Sequence, residues 1–156
     1  WKARLHGYQE LNALFEAGED EGSINVYWRD PEQFAQYVVD SNVAAQEQAI
    51  LALQTLLNKT RLPARGVDLK SVISLWVPPL VEKGLGSSRA TTKTRSMECV
   101  LSLCSYDESV TTCVELVLPF LTKKLPKLVA SALNCISELI KAYQFVMWIL
   151  AFCCRL

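Results

Sequence analysis

Three breaks divide this chain: Ser41-Asn42-Val43, the polar stretch Ser87 to Lys93, and Lys124-Leu125-Pro126-Lys127. On either side of each, apolar residues recur at helical spacing. Marked by Ser41, Ser87 and Leu125, the breaks fall 46 and 38 residues apart. Steps of that size bracket a HEAT-like unit, two helices in about 40–47 residues. Such units stack so that each pair buries its face against its neighbours, and the turns inside the pairs line one long edge. The spacing therefore predicts an all-α HEAT-repeat solenoid with Trp1, Asn42, Arg89 and Lys127 on a common rim.

The individual helices follow from the same periodicity. Leu5, Tyr8, Leu11, Leu14 and Phe15 make an apolar face from Trp1 to Phe15, opposite Lys2, Arg4, Gln9 and Glu10. Ala17 to Asn25 is acidic and holds two glycines, so it reads as a solvated connector. Asp30 then reads as an N-cap with Pro31 as the first helical residue. Ile50, Leu53, Leu56 and Leu57 give a core face to a helix over 44–58, in which Ala45, Ala49 and Ala52 permit close packing. A connector with Pro63 and Gly66 precedes a helix over 68–83, which Pro78 and Pro79 must bend or break. Gly84 and Gly86 are expected to stop it in the left-handed conformation. Ser87, Ser88, Thr91 and Thr92 can each cap the helix after it, and Arg89 is expected to point to solvent. Asp107 or Ser109 caps a helix over 110–123. Leu133, Ile136, Leu139 and Ile140 line the last one, over 128–143. No stretch alternates like a half-buried strand; Ile24 to Trp28 comes nearest and is too short.

From Phe145 to Cys154 the chain is an unbroken apolar run of ten residues. A bilayer needs about 20, so it is either one buried helix face or a segment foreign to the pattern before it. The lack of a polar face favours the second. Residues 1–143 are thus expected to form the repeats, and 144–156 a tail. The chain starts on Trp1 without an initiator Met or a signal-peptide pattern, which suggests an excerpt of a longer protein.

Most chemistry is excluded early. Sixteen Lys+Arg against sixteen Asp+Glu leave no net charge, which gives no support to nucleic-acid binding. Cys99, Cys104, Cys113, Cys135, Cys153 and Cys154 include no C-x-x-C pair, and the single His6 is remote, so buried free thiols are expected rather than a zinc site. Gly84-Leu85-Gly86 lacks the Lys-Ser/Thr sequel of a phosphate loop. His6 is an ordinary helix position and no nucleophile's partner. Glu19, Asp20 and Glu21 lack the ligand alternation of a cation loop and read as solvating carboxylates. No enzyme and no cofactor is expected.

The rim residues admit two readings. Trp1 either covers the apolar end of the solenoid or anchors a partner, since Trp and Arg are enriched at binding hot spots. Lys123, Lys124 and Lys127 can be a solvated helix end. An aromatic, an amide and several cations at equivalent places in successive repeats favour a binding edge over a generic scaffold with a concave peptide-binding face, which remains the alternative.

Four motifs carry a family resemblance: Trp1-Lys2-Ala3-Arg4-Leu5-His6-Gly7-Tyr8-Gln9-Glu10-Leu11, Tyr27-Trp28-Arg29-Asp30-Pro31, Asp40-Ser41-Asn42-Val43-Ala44-Ala45-Gln46-Glu47-Gln48-Ala49, and Glu82-Lys83-Gly84-Leu85-Gly86-Ser87-Ser88-Arg89-Ala90-Thr91-Thr92-Lys93-Thr94. Together they resemble the first TOG domain of the microtubule polymerases, of the budding-yeast type, over about residues 1–143. The resemblance implies a paddle of HEAT repeats whose intra-repeat turns bind the αβ-tubulin heterodimer, with a preference for curved, unpolymerised tubulin. It implies that Trp1, in the first turn, packs on β-tubulin. Ser41, Asn42 and Val43 match the second turn, and Ser88, Arg89 and Thr91 the third. Pro126 and Lys127 match the fourth, nearer α-tubulin. On this resemblance the chain runs from the second helix of repeat 1 through repeat 4, and repeats 5 and 6 fall outside it. The implied setting is the cytoplasm and cytoskeleton, at microtubule plus ends, spindle poles and kinetochores, with no nucleic acid and no membrane as partner. A homodimer of the full-length protein is compatible with it.

Overall fold

The computed structural model describes residues 1–18, 21–60, 66–106 and 110–153, with 21–24 and 144–153 described by backbone alone. Eight α-helices appear among these residues, and no strand. They are α1 (Lys2–Ala17), α2 (Glu21–Arg29), α3 (Glu32–Tyr37), α4 (Val43–Lys59), α5 (Leu69–Pro79), α6 (Ala90–Tyr106), α7 (Val110–Val117) and α8 (Pro126–Cys153). A π-helix, Leu80–Leu85, extends α5, and a 3₁₀ turn, Leu118–Thr122, extends α7. The all-helical expectation holds.

Two layers form. In one, α1 packs on α4, α4 on α6, and α6 on α8; in the other, α3 packs on α5 and α5 on α7. Within the first layer the helices run parallel. Arg4, at the start of α1, reaches Asp40, just before α4, and Asn12 further along α1 meets Thr55 further along α4. Thr91 at the start of α6 meets Glu47, and Glu98 further along meets Gln54. The starts of α1, α4 and α6 therefore share one edge, and Lys127 at the start of α8 lines the same groove as Ser87 and Ser88 before α6, so the turns that precede α4, α6 and α8 sit there.

Local chemistry sets these starts. Asn42 caps α4, its side-chain carbonyl accepting from the N–H groups of Ala44 and Ala45 at 3.1 Å each. Asp68 caps α5 by accepting from Ser71 N–H. Pro126 is the first residue of α8, where its missing N–H is no loss. At the far edge, Trp28 and Trp76 are fully buried with ring centroids 5.3 Å apart. Each indole N–H has an acceptor: Thr60 Oγ1 for Trp28, and the Pro31 carbonyl at 2.7 Å for Trp76. Both bulky rings thus enter the core without an orphaned donor. Among the described residues no helix is long and apolar enough to cross a membrane.

Several local expectations are corrected. The connector expected over 17–25 is helical from Glu21 onward, because Trp28 on the same helix is drawn under Trp76 and Tyr106. Asp30 does not cap α3: Pro31 holds the cap position, and the Asp30 carboxylate accepts from Gln33 Nε2 instead. The break expected at Pro78 and Pro79 is present in a mild form: they withhold two N–H donors, α5 ends at Pro79, and the chain continues as the wider π turn. Gly84 is buried within that turn, and Gly86 has φ −73°, so neither is left-handed. Both are needed for space. A Cβ on Gly84 would lie 2.1 Å from Ser96 Oγ, and one on Gly86 2.3 Å from the Glu82 carbonyl. Leu133 and Ile140, expected in the core, are 54% and 42% exposed on a face of α8 that no described element covers. The backbone of Phe145 to Cys153 continues α8 without a break. The expectations at Glu19, Asp20, Pro63, Asp107, Ser109 and Cys154, and at the side chain of Cys153, lie outside the described residues.

Candidate partner-binding rim

Trp1 stands at the N-cap of α1 with 53% of its surface exposed, and Lys2 Nζ lies 5.9 Å from its ring centroid. The next helix start is tied to α1 by one carboxylate. Asp40 accepts from Arg4 Nε at 2.7 Å, Arg4 Nη2 at 3.1 Å, Tyr8 Oη at 3.2 Å and the N–H of Asn42 at 2.8 Å. These donors occupy both oxygens, and the side chain is almost fully buried. The Arg4 guanidinium, chiefly, holds the Asp40 carboxyl down at about 2. Burial, chiefly, pushes the Tyr8 phenol up to about 12. Ser41 and Val43 are exposed beside this knot, while Asn42 is half-buried and committed to its cap.

The third turn is tied to the second in the same way. Glu47 lies on the second turn of α4 and is mostly buried. Its carboxylate accepts from Thr91 Oγ1 at 2.8 Å, pairs with Arg89 Nη1, and has Arg95 Nη1 at 3.7 Å. The Thr91 hydroxyl first, then Arg89, hold the Glu47 carboxyl below its usual range. Arg89 was expected simply to face solvent. About half of its side chain does, while its Nη1 is bound to Glu47. Thr91, a candidate cap, turns its hydroxyl away to the neighbouring helix for the same reason. Ser87 Oγ accepts from the N–H of Arg89, and Thr92 Oγ1 is buried.

The fourth turn is set apart from the third by a groove of ≈ 820 Å³ between α6 and α8, with Ser88 and Lys93 on one bank and Lys127 on the other. Pro126 and Lys127 are exposed, as is Leu125 beside them. All nine expected rim residues thus lie at the starts of α1, α4, α6 and α8. The first three starts are joined by carboxylates, and the fourth stands across the groove. The sequence reading missed those two carboxylates. Asp40 had a local signal, an acid two residues before an amide N–H it can accept from. Glu47 had none, because Arg89 and Thr91 are 42 and 44 residues away. Among the described residues no group of three His, Cys, Asp or Glu side chains is placed to hold a metal.

Asp40 supplies a pH prediction. Its folded value, about 2, lies below the ordinary 3.8. The ionised carboxylate therefore stabilises the fold above about pH 4, and that stability is lost as pH falls through about 2. Discounted for the half-exposed Arg4 partner, the loss should be about 1–2 kcal/mol. Denaturant unfolding at pH 6, 4 and 2.5 checks it. Asp40→Asn should be less stable at pH 6 and should flatten the profile between pH 4 and 2.5; an equally steep profile in the variant would assign the acid loss elsewhere.

With this geometry in hand, comparison with known proteins is specific. The sequence pattern of the TOG domain of the XMAP215/Dis1/CLASP proteins matches residues 1–151. The chain is 31% identical over 150 residues to the spindle pole body component alp14 of Schizosaccharomyces pombe, covering 92% of this chain and 17% of that protein. It is 37% identical over 109 residues to phosphoprotein p93 of the same yeast, covering 69% and 12%. Against centrosomal protein 224 of Dictyostelium discoideum it is 27% identical over 143 residues, covering 92% and 7%. The chain thus spans less than a fifth of each of these relatives. A solved structure concerned with tubulin recruitment and assembly by microtubule polymerases with TOG domain arrays superposes with a TM-score of 0.81 at 48% identity, over 88% of this chain and 28% of that one.

Proposed function

The chain belongs to the XMAP215/Dis1/CLASP TOG-domain family, and on that premise we propose that its rim binds the αβ-tubulin heterodimer as one module of a microtubule polymerase. The observation that carries this is the edge itself: an exposed Trp, an exposed Val, a half-exposed Arg and an exposed Lys stand at four successive parallel helix starts. The 48% identity to a chain from a structure of tubulin recruitment supplies the partner. The mechanism has no covalent step. The rim holds a soluble dimer, other parts of the full protein hold the microtubule, and straightening of tubulin on incorporation releases the rim. Release requires contacts made better with curved than with straight tubulin, because a partner shifts an equilibrium only by its differential affinity. Trp1 is the anchor on β-tubulin; Ser41, Asn42 and Val43, then Ser88, Arg89 and Thr91, extend the contact; Pro126 and Lys127 reach toward α-tubulin. The setting is the spindle cytoskeleton, at plus ends and kinetochores as well as poles.

Gel filtration of the chain with unpolymerised tubulin is the direct test. Co-elution is expected, and its absence at micromolar concentration would leave a HEAT scaffold with some other partner. Arg89→Gln, which avoids setting a second carboxylate against Glu47, should weaken binding about tenfold and make it less sensitive to salt. An unchanged salt dependence would remove Arg89 from the electrostatic contact.

A further inference from the structure

The rim's third turn is held by a group that lies behind it. Glu47 belongs to the preceding helix pair, yet its carboxylate receives Arg89, Thr91 and Arg95, all from the start of α6. Its side chain is only 17% exposed, against 48% for Arg89. The acid is therefore tucked beneath the rim while half of the guanidinium stays in water. A guanidinium has five donors in a rigid fork; Nη1 is committed to Glu47, and the half-exposed side chain leaves other donors for a partner.

We propose that Glu47 is a positioning residue of the rim, fixing Arg89 and Thr91 of the next turn in the orientation in which they meet the partner. The inference rests on the tubulin-binding rim proposed above. Two effects of Glu47 oppose each other. Its charge cancels part of the positive field of Arg89 and Arg95, which weakens long-range attraction for an acidic partner. Its grip removes the rotamer freedom of a long side chain before the partner arrives, which lowers the cost of binding. Field effects at an exposed edge are screened within a Debye length of about 8 Å at physiological salt. The grip is a direct contact with a mostly buried carboxylate and is screened much less than the long-range field, so the second effect dominates. Removal of the charge should thus appear mainly in the dissociation rate.

The test is a double-mutant cycle on the whole chain with unpolymerised tubulin. Glu47→Gln keeps the side-chain shape and an acceptor for Thr91 while removing the charge. It should raise the dissociation rate about fivefold and leave the association rate unchanged or slightly higher. Arg89→Gln should weaken binding about tenfold in the native background but less than about threefold in Glu47→Gln, since the Arg is no longer aimed. Glu47→Asp, which keeps the charge one methylene back, should recover part of the loss. Equal effects of Arg89→Gln in both backgrounds, or tighter binding by Glu47→Gln, would overturn the proposal. A partner-free measurement separates it from the tubulin reading: the Arg89 Nε–H signal in NMR should be ordered in the native chain and averaged in Glu47→Gln. If that order does not depend on Glu47, the positioning is wrong whatever tubulin does. If it does depend on Glu47 while the native chain ignores tubulin, the positioning stands and the partner is wrong.

Discussion

Gly84→Ala is expected to destabilise the fold by about 2–3 kcal/mol, the upper range for overpacking a well-packed site. Gly84 is buried in the π turn, where the end of the first helix of its pair presses on α6. The added Cβ would lie 2.1 Å from Ser96 Oγ and 2.7 Å from Ser96 Cβ. Rotating the hydroxyl away relieves only the first contact, and breaks its bond to the Thr92 carbonyl. The second is fixed by the backbone of α6, so the two elements must separate, and the burial of Leu80, Val81 and Leu85 suffers with them. Thermal unfolding should fall by about 5–10 °C for a chain of this size. Two second-site variants decide the mechanism. Gly84→Ala with Ser96→Gly removes both clashing atoms and should recover most of the loss beyond the propensity cost of a helical glycine, about 1 kcal/mol. Gly84→Ala with Ser96→Ala leaves the Cβ in place and should recover little. Full recovery by the second pair would mean that the hydroxyl alone sets the approach.

The difference between what the sequence shows and what it hides is clear at this glycine. Gly84-Leu85-Gly86 between two helical runs reads as a stop, and glycine stops helices by adopting positive φ. The structure uses it for the missing Cβ instead, and closeness of two elements leaves no local mark on the chain. The helices themselves were legible because their causes are local. The Ile50, Leu53, Leu56 and Leu57 spacing acts within a turn or two of where it stands; the caps at Asn42 and Asp68 and Pro126 at a first position are equally local, but the sequence reading took Asn42 and Pro126 only as parts of breaks and Asp68 only as a helix start. The start of α2 was hidden for the opposite reason. Its acidic, glycine-bearing sequence has loop composition, and what makes it helical is Trp28 packing on Trp76 and Tyr106, far along the chain.

The rim divides along the same line. Trp1, Asn42, Arg89 and Lys127 could be named because turns are where polar and aromatic side chains escape burial, and the spacing of the turns put them on one edge; the other rim residues came only with the TOG resemblance. Their fastening could not be named. Asp40 and Glu47 look like ordinary surface acids in the sequence, and each turns inward only because a parallel neighbour brings arginine to it. Arg89 shows the same limit: it faces solvent as expected, with about half of its side chain exposed, while its tie to Glu47 on another helix was hidden.

Trp1→Ala should separate binding from folding more sharply than any other change at the rim. Trp1 is 53% exposed and belongs to neither buried cluster, and the Lys2 ammonium lies over its ring. An exposed cation–π pair contributes about 0.5–1 kcal/mol at most, and surface changes of this kind usually stay within about 0.5 kcal/mol. Stability should therefore barely move. Tubulin affinity should fall by about 2 kcal/mol or more, roughly thirtyfold, because a large aromatic left in water in the free chain is the side chain with most to gain from desolvation in a complex. Calorimetric titration with unpolymerised tubulin and a denaturant melt, run on the same preparation, give the two numbers. Trp1→Phe should keep part of the affinity, since it retains a ring but loses the indole's extra area and N–H. If Trp1 merely covers the open end of the solenoid, the pattern inverts: the melt shifts and the affinity does not. Unchanged affinity with an unchanged melt would also remove Trp1 from the contact, and would move the anchor of the rim to Val43 and Arg89, the next exposed groups along the same edge.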